Sequence, residues 1–118
     1  MTVKEVYEKM GANYDEVFNR LRADERIQKF LVRILDDGSY KLLTDSIASG
    51  DMSEAFRAAH TLKGLCLNFS LTKLFESSNA LTEALRGRTE YSSELDPLLA
   101  KVKVDYDEMY AAVSLLKQ

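Results

Sequence analysis

Proline occurs once in this chain of 118 residues, glycine five times, and cysteine and histidine once each. So few breakers leave long helices little opposed. The single cysteine, Cys66, excludes an internal disulfide, and its place on an apolar helical face predicts a buried structural thiol rather than a reactive one. The single histidine has no second histidine with which to build a zinc site. Nor does it form a Cys/His pair, because Cys66 projects about 240° around the same helix from His60. No run approaches 18 apolar residues, so no membrane span is expected. The opening MTVKEVYEKM is charged from residue 4 and has no apolar signal core, and the expected compartment is the cytoplasm. A net charge of −3 without a basic stripe argues against nucleic acid as the main partner. There is no glycine-rich phosphate loop, which excludes taking phosphate from ATP unaided. No sustained heptad repeat urges a dimer, so a monomer is expected.

What is present is helical spacing, almost from end to end. Thr2-x-x-Glu5 is a capping-box pattern opening a short helix with Val3, Val6, Tyr7 and Met10 on one side, and Gly11 ends it. Asn13-x-x-Glu16 opens the next, with Tyr14, Val17, Phe18 and Leu21 on one face. Residues 24–36 carry Ile27, Phe30, Leu31, Ile34 and Leu35 in the same register, and Asp37-Gly38 makes a turn. Ser39–Ser49 turns Leu42, Leu43 and Ile47 inward and closes at Gly50. Asp51-x-x-Glu54 caps the helix that follows.

Beyond that helix, Ser70 is expected to cap another, whose inner face holds Leu71, Leu74, Phe75, Ser78, Leu81 and Leu85 and which ends near Gly87. Residues 88–95 read as the one real loop. Asp96-Pro97 reads as N-cap then first helical residue of a last helix bearing Leu98, Val102, Met109, Val113 and Leu116. No stretch alternates with period two, so no sheet is expected. Short connections favour antiparallel neighbours. The predicted fold is all-α: one domain, with an antiparallel up-and-down four-helix bundle over residues 24–118 and short N-terminal helices in residues 1–23 covering one end.

The stretch Met52–Asn68 holds the histidine. At about 100° per residue, Ala55, Ala58, Leu62, Leu65, Cys66 and Phe69 fall on one apolar side. Ser53, Phe56, Arg57, His60, Lys63, Gly64 and Leu67 fall on the other, with His60 central. Arg57 and Lys63 each lie one turn from the ring. Gly64, also one turn on, costs a helix interior roughly 1 kcal/mol relative to alanine, which suggests that something must approach the imidazole closely. Phe56 and Leu67 lie within about 40° of His60 and form the floor of a docking surface, or else peripheral core. Neutral imidazole is a nucleophile near neutral pH, and a nearby cation offsets phosphate charge, so phosphoryl chemistry fits the set.

Ala59-His60-Thr61-Leu62-Lys63-Gly64, followed by Leu67-Asn68-Phe69, resembles the histidine-containing phosphotransfer (HPt) domain of bacterial phosphorelays. The family pattern is an alanine-histidine pair, lysine-glycine at +3 and +4, and often asparagine at +8. Many members also have glycine at +10, where this chain has Ser70. The resemblance is motif-level over residues 51–86 and architectural elsewhere.

It implies a phosphorelay intermediate rather than a kinase. His60 would accept a phosphoryl group, through Nε2, from the aspartyl phosphate of one receiver domain and pass it to another. Lys63 would offset charge and Gly64 give access. Ser53, Phe56, Arg57, Leu67 and Asn68 would face the partner, although Arg57 also reads as a solvated surface charge and Asn68 as a fixer of the helix end. The partners implied are response-regulator receiver domains, such as those of a hybrid histidine kinase. No cofactor or metal belongs to the chain itself; Mg²⁺ would reside in the receiver. Two other classes fit the same residues: a helical adaptor that binds a receiver without phosphotransfer, and an unrelated helical interaction module.

Overall fold

Three helices begin where a side-chain oxygen takes up a backbone N–H left over by the first turn. Thr2 Oγ1 accepts from Glu5 N at 3.1 Å while Glu5 Oε1 accepts from Thr2 N at 2.9 Å, a reciprocal box. Asn13 Oδ1 accepts from Glu16 N, and Asp51 Oδ1 from Glu54 N, each at 3.1 Å. Each such cap stabilises its helix by about 1 kcal/mol.

The computed structural model describes residues 1–117. Among them run seven α-helices, one short 3₁₀ helix and no strand. The α-helices are α1 (Val3–Lys9), α2 (Tyr14–Leu21), α3 (Asp24–Ile34), α4 (Ser39–Ser49), α5 (Met52–Asn68), α6 (Thr72–Leu85) and α7 (Asp96–Ser114). Helix α5 packs along both α4 and α6, and α6 along α7. Stacked rings of Tyr40 and Tyr106, 4.0 Å between centroids, join α4 to α7. Helix α3 is the fifth α-helix counted back from the end; its main neighbours are α1, α2 and α7. The core is continuous from Val3 and Tyr7 through Leu31, Leu43, Ala55, Leu62 and Leu81 to Val113.

Three expectations are corrected. Leu42 is exposed, not inward, because the buried arc of α4 is Leu43, Ser46 and Ile47, about 100° round the helix from it. Asp96 is not an N-cap. The 3₁₀ turn Ser93–Leu95 runs straight into α7, so Asp96 already has helical dihedrals, and its carboxylate accepts from the Tyr91 hydroxyl instead. That turn also gives structure to part of the expected loop and buries Leu95.

The third correction concerns Ser70. It does not cap α6, whose N-cap is Leu71 with no side-chain hydrogen bond. Ser70 belongs to the end of α5. Leu71 N donates to Cys66 O at 2.9 Å and Ser70 N to Leu67 O at 3.3 Å, with Ser70 at φ +55°. This is a Schellman termination, whose left-handed position ordinarily goes to glycine. A β-carbon there costs roughly 1–2 kcal/mol.

The N-terminal helices offset that cost. Ser70 Oγ donates to Glu16 Oε1 at 2.8 Å and accepts from Arg20. Arg20 also donates to Leu67 O at 3.0 Å and Asn68 O at 3.1 Å, Asn13 N to Ser70 O at 3.0 Å, and Tyr7 Oη to Phe69 O at 2.8 Å. The carbonyls that a helix end leaves unpaired are thereby taken up by α1 and α2.

Candidate functional site

Burial along α5 follows the helical period. Met52, Ala55, Ala58, Ala59, Leu62 and Cys66 are buried. Leu65 and Phe69, expected in the core, are only half-buried, while Ala59 lies wholly inside. On the opposite side Ser53, Arg57, His60, Leu67 and Asn68 are exposed, and Phe56, Lys63 and Gly64 are half-buried. The Cys66 thiol is pushed up from an ordinary 9.0 to about 12 by burial, so it is held protonated and unreactive.

The imidazole of His60 lies parallel to the ring of Phe56, 4° between planes and 6.0 Å between centroids. Phe56 is half-buried and packs against the core, which bears out its reading as peripheral core. Over its ring, at 5.1 Å from the centroid, sits the guanidinium of Arg86, the C-cap of α6. Arg86 is steadied by two hydrogen bonds to Glu83, at 3.0 and 3.1 Å. The Arg86 bonds hold the Glu83 carboxyl below its ordinary range, and the nearby Lys63 and His60 add to this.

The cations around His60 differ in their commitments. Arg57 is turned to Glu54, Nη1 to Oε1 at 2.5 Å, and its side chain is 72% exposed. Screening by water leaves such a pair worth little. Arg86 is paired to Glu83. Lys63 forms no salt bridge among the described residues, so its ammonium is not committed within the fold.

Gly64 has no left-handed φ, and a β-carbon built on it would meet no atom within 4 Å beyond the backbone of its own helix and its chain neighbours. Nothing inside the molecule therefore requires glycine there. Ser53 stands two turns before His60 on the same face, and Leu67 two turns after it, 54% exposed. Asn68, the last residue of α5, gives its carbonyl oxygen to Arg20 Nε.

The set is an exposed nucleophile beside an uncommitted ammonium and a stretch of bare helix, open to a group carried by another molecule. No cluster of three His, Cys, Asp or Glu side chains able to hold a metal occurs among the described residues. A cleft of about 450 Å³, lined by Thr44, Ile47, Gly50, Tyr91, Asp96 and Leu99, lies away from His60. The histidine is not at the bottom of a pocket, and a surface of this shape suits a macromolecular partner better than a metabolite.

Sequence reasoning missed Arg86 and Glu83. Their i, i+3 spacing marks an ion pair on α6, but which face of α6 meets α5 is settled only by packing. It also missed Arg20, whose targets are backbone carbonyls 47 and 48 residues away. Backbone acceptors carry no sequence signal.

No helix among the described residues is long and apolar enough to cross a membrane. A search of curated proteins found no match, and neither did a search of solved structures. A family model described as Hpt domain matches residues 22–114, which takes in α3 to α7 and leaves out α1 and α2. Hpt domains are helical bundles that carry phosphoryl groups in two-component phosphorelays, work with response-regulator receiver domains and are generally not autonomous kinases. The match spans most of the chain, the helix that bears His60 included, and the chain belongs to the Hpt domain family.

Proposed function

We propose that His60 is the phosphorylated residue of a relay intermediate, taking a phosphoryl group from a receiver-domain aspartyl phosphate and handing it to a second receiver. The observation that carries this is Gly64. It costs the helix roughly 1 kcal/mol, no neighbour within 4 Å demands it, and it lies one turn from an exposed imidazole. The space it keeps is outside the molecule, where a partner would stand.

In this reading Nε2 of neutral His60 attacks the phosphorus. The N–P bond forms as the acyl-phosphate P–O bond breaks, and the receiver aspartate leaves as a carboxylate. The ring sheds the Nδ1 proton to water. The second transfer is the reverse, with a new carboxylate as nucleophile. Lys63 lies close enough to pair with phosphoryl oxygens. Gly64 admits the receiver, while Ser53, Phe56, Leu67 and Asn68 form the surface it covers. Arg57, already turned to Glu54, contributes long-range attraction and no direct contact. Mg²⁺ belongs to the receiver, and the chain acts where receivers do, in the cytoplasm, as a monomer.

The fold reading goes with it. The turns between α4 and α5 and between α5 and α6 span two and three residues, and helices so joined that pack side by side must reverse direction. We take α4–α7 as an antiparallel up-and-down bundle within one domain, with α1 and α2 over the end where α5 turns into α6.

The test is transfer from receiver domains charged with a small phosphodonor, comparing wild type with His60→Gln. Acid-labile, base-stable label on wild type alone supports the carrier. Receiver binding without label on a folded wild type would instead favour an adaptor.

A further inference from the structure

Asp105, on α7, is a carboxylate placed where charge is ordinarily excluded, with 4% of its surface exposed. Its Oδ1 accepts from Lys101 Nζ at 2.8 Å. Its Oδ2 is buried without a hydrogen-bond partner, the only side-chain oxygen or nitrogen so left among the described residues. Buried polar atoms are almost always paired, because leaving one unpaired forfeits its hydration with nothing in return. Lys101 approaches from water, its side chain 61% exposed, and its ammonium reaches one of the two oxygens.

Beside this carboxylate α6 and α7 leave a cleft of about 270 Å³. Lys73, Glu76, Ser77 and Ala80 line it from α6, Lys101 and Asp105 from α7. Lys73 is committed to Glu108 at 2.9 Å, and Lys101 to Asp105. Glu76 is exposed and forms no salt bridge among the described residues. Both cations of the cleft are therefore already paired, and what is left over is negative: the Glu76 carboxylate and Asp105 Oδ2. No metal-binding cluster occurs among the described residues, so the complement is an organic cation. The volume lies just below the roughly 300–1,000 Å³ of drug-sized sites and admits one small group.

A guanidinium meets these demands. Its planar fork gives two parallel N–H bonds to a carboxylate, taking both Asp105 oxygens where an ammonium takes one. Its remaining N–H groups are free for Glu76, and an alkyl stem can lie on Ala80. We infer that this cleft binds a guanidinium group on a short apolar stem, carried by a free alkylguanidine or by an arginine of another protein. Asp105 is the fork partner, and Lys101 is a placeholder that swings into water, where such an ion pair is worth little. The cleft shares no residue with the His60 surface, and the inference does not depend on the carrier reading.

The test is a titration of the full chain followed by amide nuclear magnetic resonance, with butylguanidinium, butylammonium and an end-blocked Gly-Arg-Gly peptide as probes. Butylguanidinium is expected to bind with a Kd of about 1 mM, and butylammonium at least about fivefold more weakly. The shifts should centre on residues 73–80 and 101–105. Glu76→Gln should raise the Kd about threefold and Asp105→Asn about tenfold. Lys101→Ala, which removes the placeholder, should lower it about threefold, while Lys103→Ala, which removes the same charge elsewhere on α7, should leave it within about twofold. Glu76 and Lys101 are exposed, so their variants decide the matter even where Asp105→Asn does not fold. Peptide binding with the same shifts assigns the site to a protein arginine, and binding of butylguanidinium alone assigns it to a free guanidine. No binding of either up to about 20 mM, shifts centred elsewhere, or equal effects of Lys101→Ala and Lys103→Ala overturn the inference.

Discussion

The hydroxyl of Tyr7 donates to the carbonyl oxygen of Phe69 across 2.8 Å, closing the end of the histidine helix with a residue from the first helix of the chain. Tyr7 is fully buried, and burial raises its phenol well above the ordinary range, so the group stays protonated and remains a donor. Tyr7→Phe keeps the ring and leaves the carbonyl without that partner. The expected cost is about 1 kcal/mol, a fall in Tm of roughly 3–6 °C for a chain of this size. Thermal unfolding followed by circular dichroism checks it, and an unchanged Tm would show that water replaces the hydroxyl without penalty.

Position 64 separates stability from function. Gly64→Ala should stabilise the protein by up to about 1 kcal/mol, because the helix gains propensity and the methyl meets nothing. Gly64→Gln should also fold, yet slow transfer from a receiver by about 100-fold or more, since its side chain occupies the approach to His60. Normal transfer by a folded Gly64→Gln protein would dismiss the access argument.

At position 70 the preference reverses. Ser70 is held at φ +55°, so Ser70→Ala keeps the strain and loses the bonds to Glu16 and Arg20. Ser70→Gly loses the same bonds but relieves the strain. Glycine should therefore be the more stable of the two variants by about 1 kcal/mol, measured by urea denaturation. Equal stabilities would mean that the left-handed conformation carries no cost here.

The two cations flanking His60 should respond unequally. Lys63→Ala is expected to slow transfer about tenfold or shorten the phosphohistidine lifetime, since its ammonium has no salt-bridge partner among the described residues. Arg57→Ala should change the rate less than about threefold, and chiefly at low salt, because Arg57 is turned to Glu54 and lies in water. Single-turnover rates at two ionic strengths decide. The opposite ranking would assign Arg57 the role given to Lys63.

Cys66 predicts an alkaline limit. Its folded-state value is raised from 9.0 to about 12, so the unfolded chain releases the thiol proton first. The stability tied to the buried neutral thiol is complete below pH 9 and is lost as pH rises towards 12, at up to about 1.4 kcal/mol per pH unit. Cys66→Ala should be less stable at neutral pH but show a shallower decline above pH 9 in denaturant titrations. Parallel declines would indicate that other groups, the raised tyrosines among them, account for the alkaline loss.

Much of this molecule could be read from its order of residues. Thr2, Asn13 and Asp51 cap the helices that their spacing to Glu5, Glu16 and Glu54 announces. The apolar period of 3.6 puts Ala55, Leu62 and Cys66 inside and His60 outside. These features are local: a cap is decided within three residues and a face within seven, so the sequence by itself determined them. Where local signals failed, the adjoining residues satisfied a competing local pattern. Asp96 yields its cap to the 3₁₀ turn that precedes it, and Ser70 ends one helix instead of starting the next. Tertiary structure alone decided that Arg86 would lie over Phe56, that Arg20 would hold the end of the histidine helix, and that α2 would wall a cleft beside Leu67. Each depends on how far one helix turns against another. That rotation is set by the packing of the whole core, and the acceptors it brings into reach are backbone oxygens, which every residue has and none advertises.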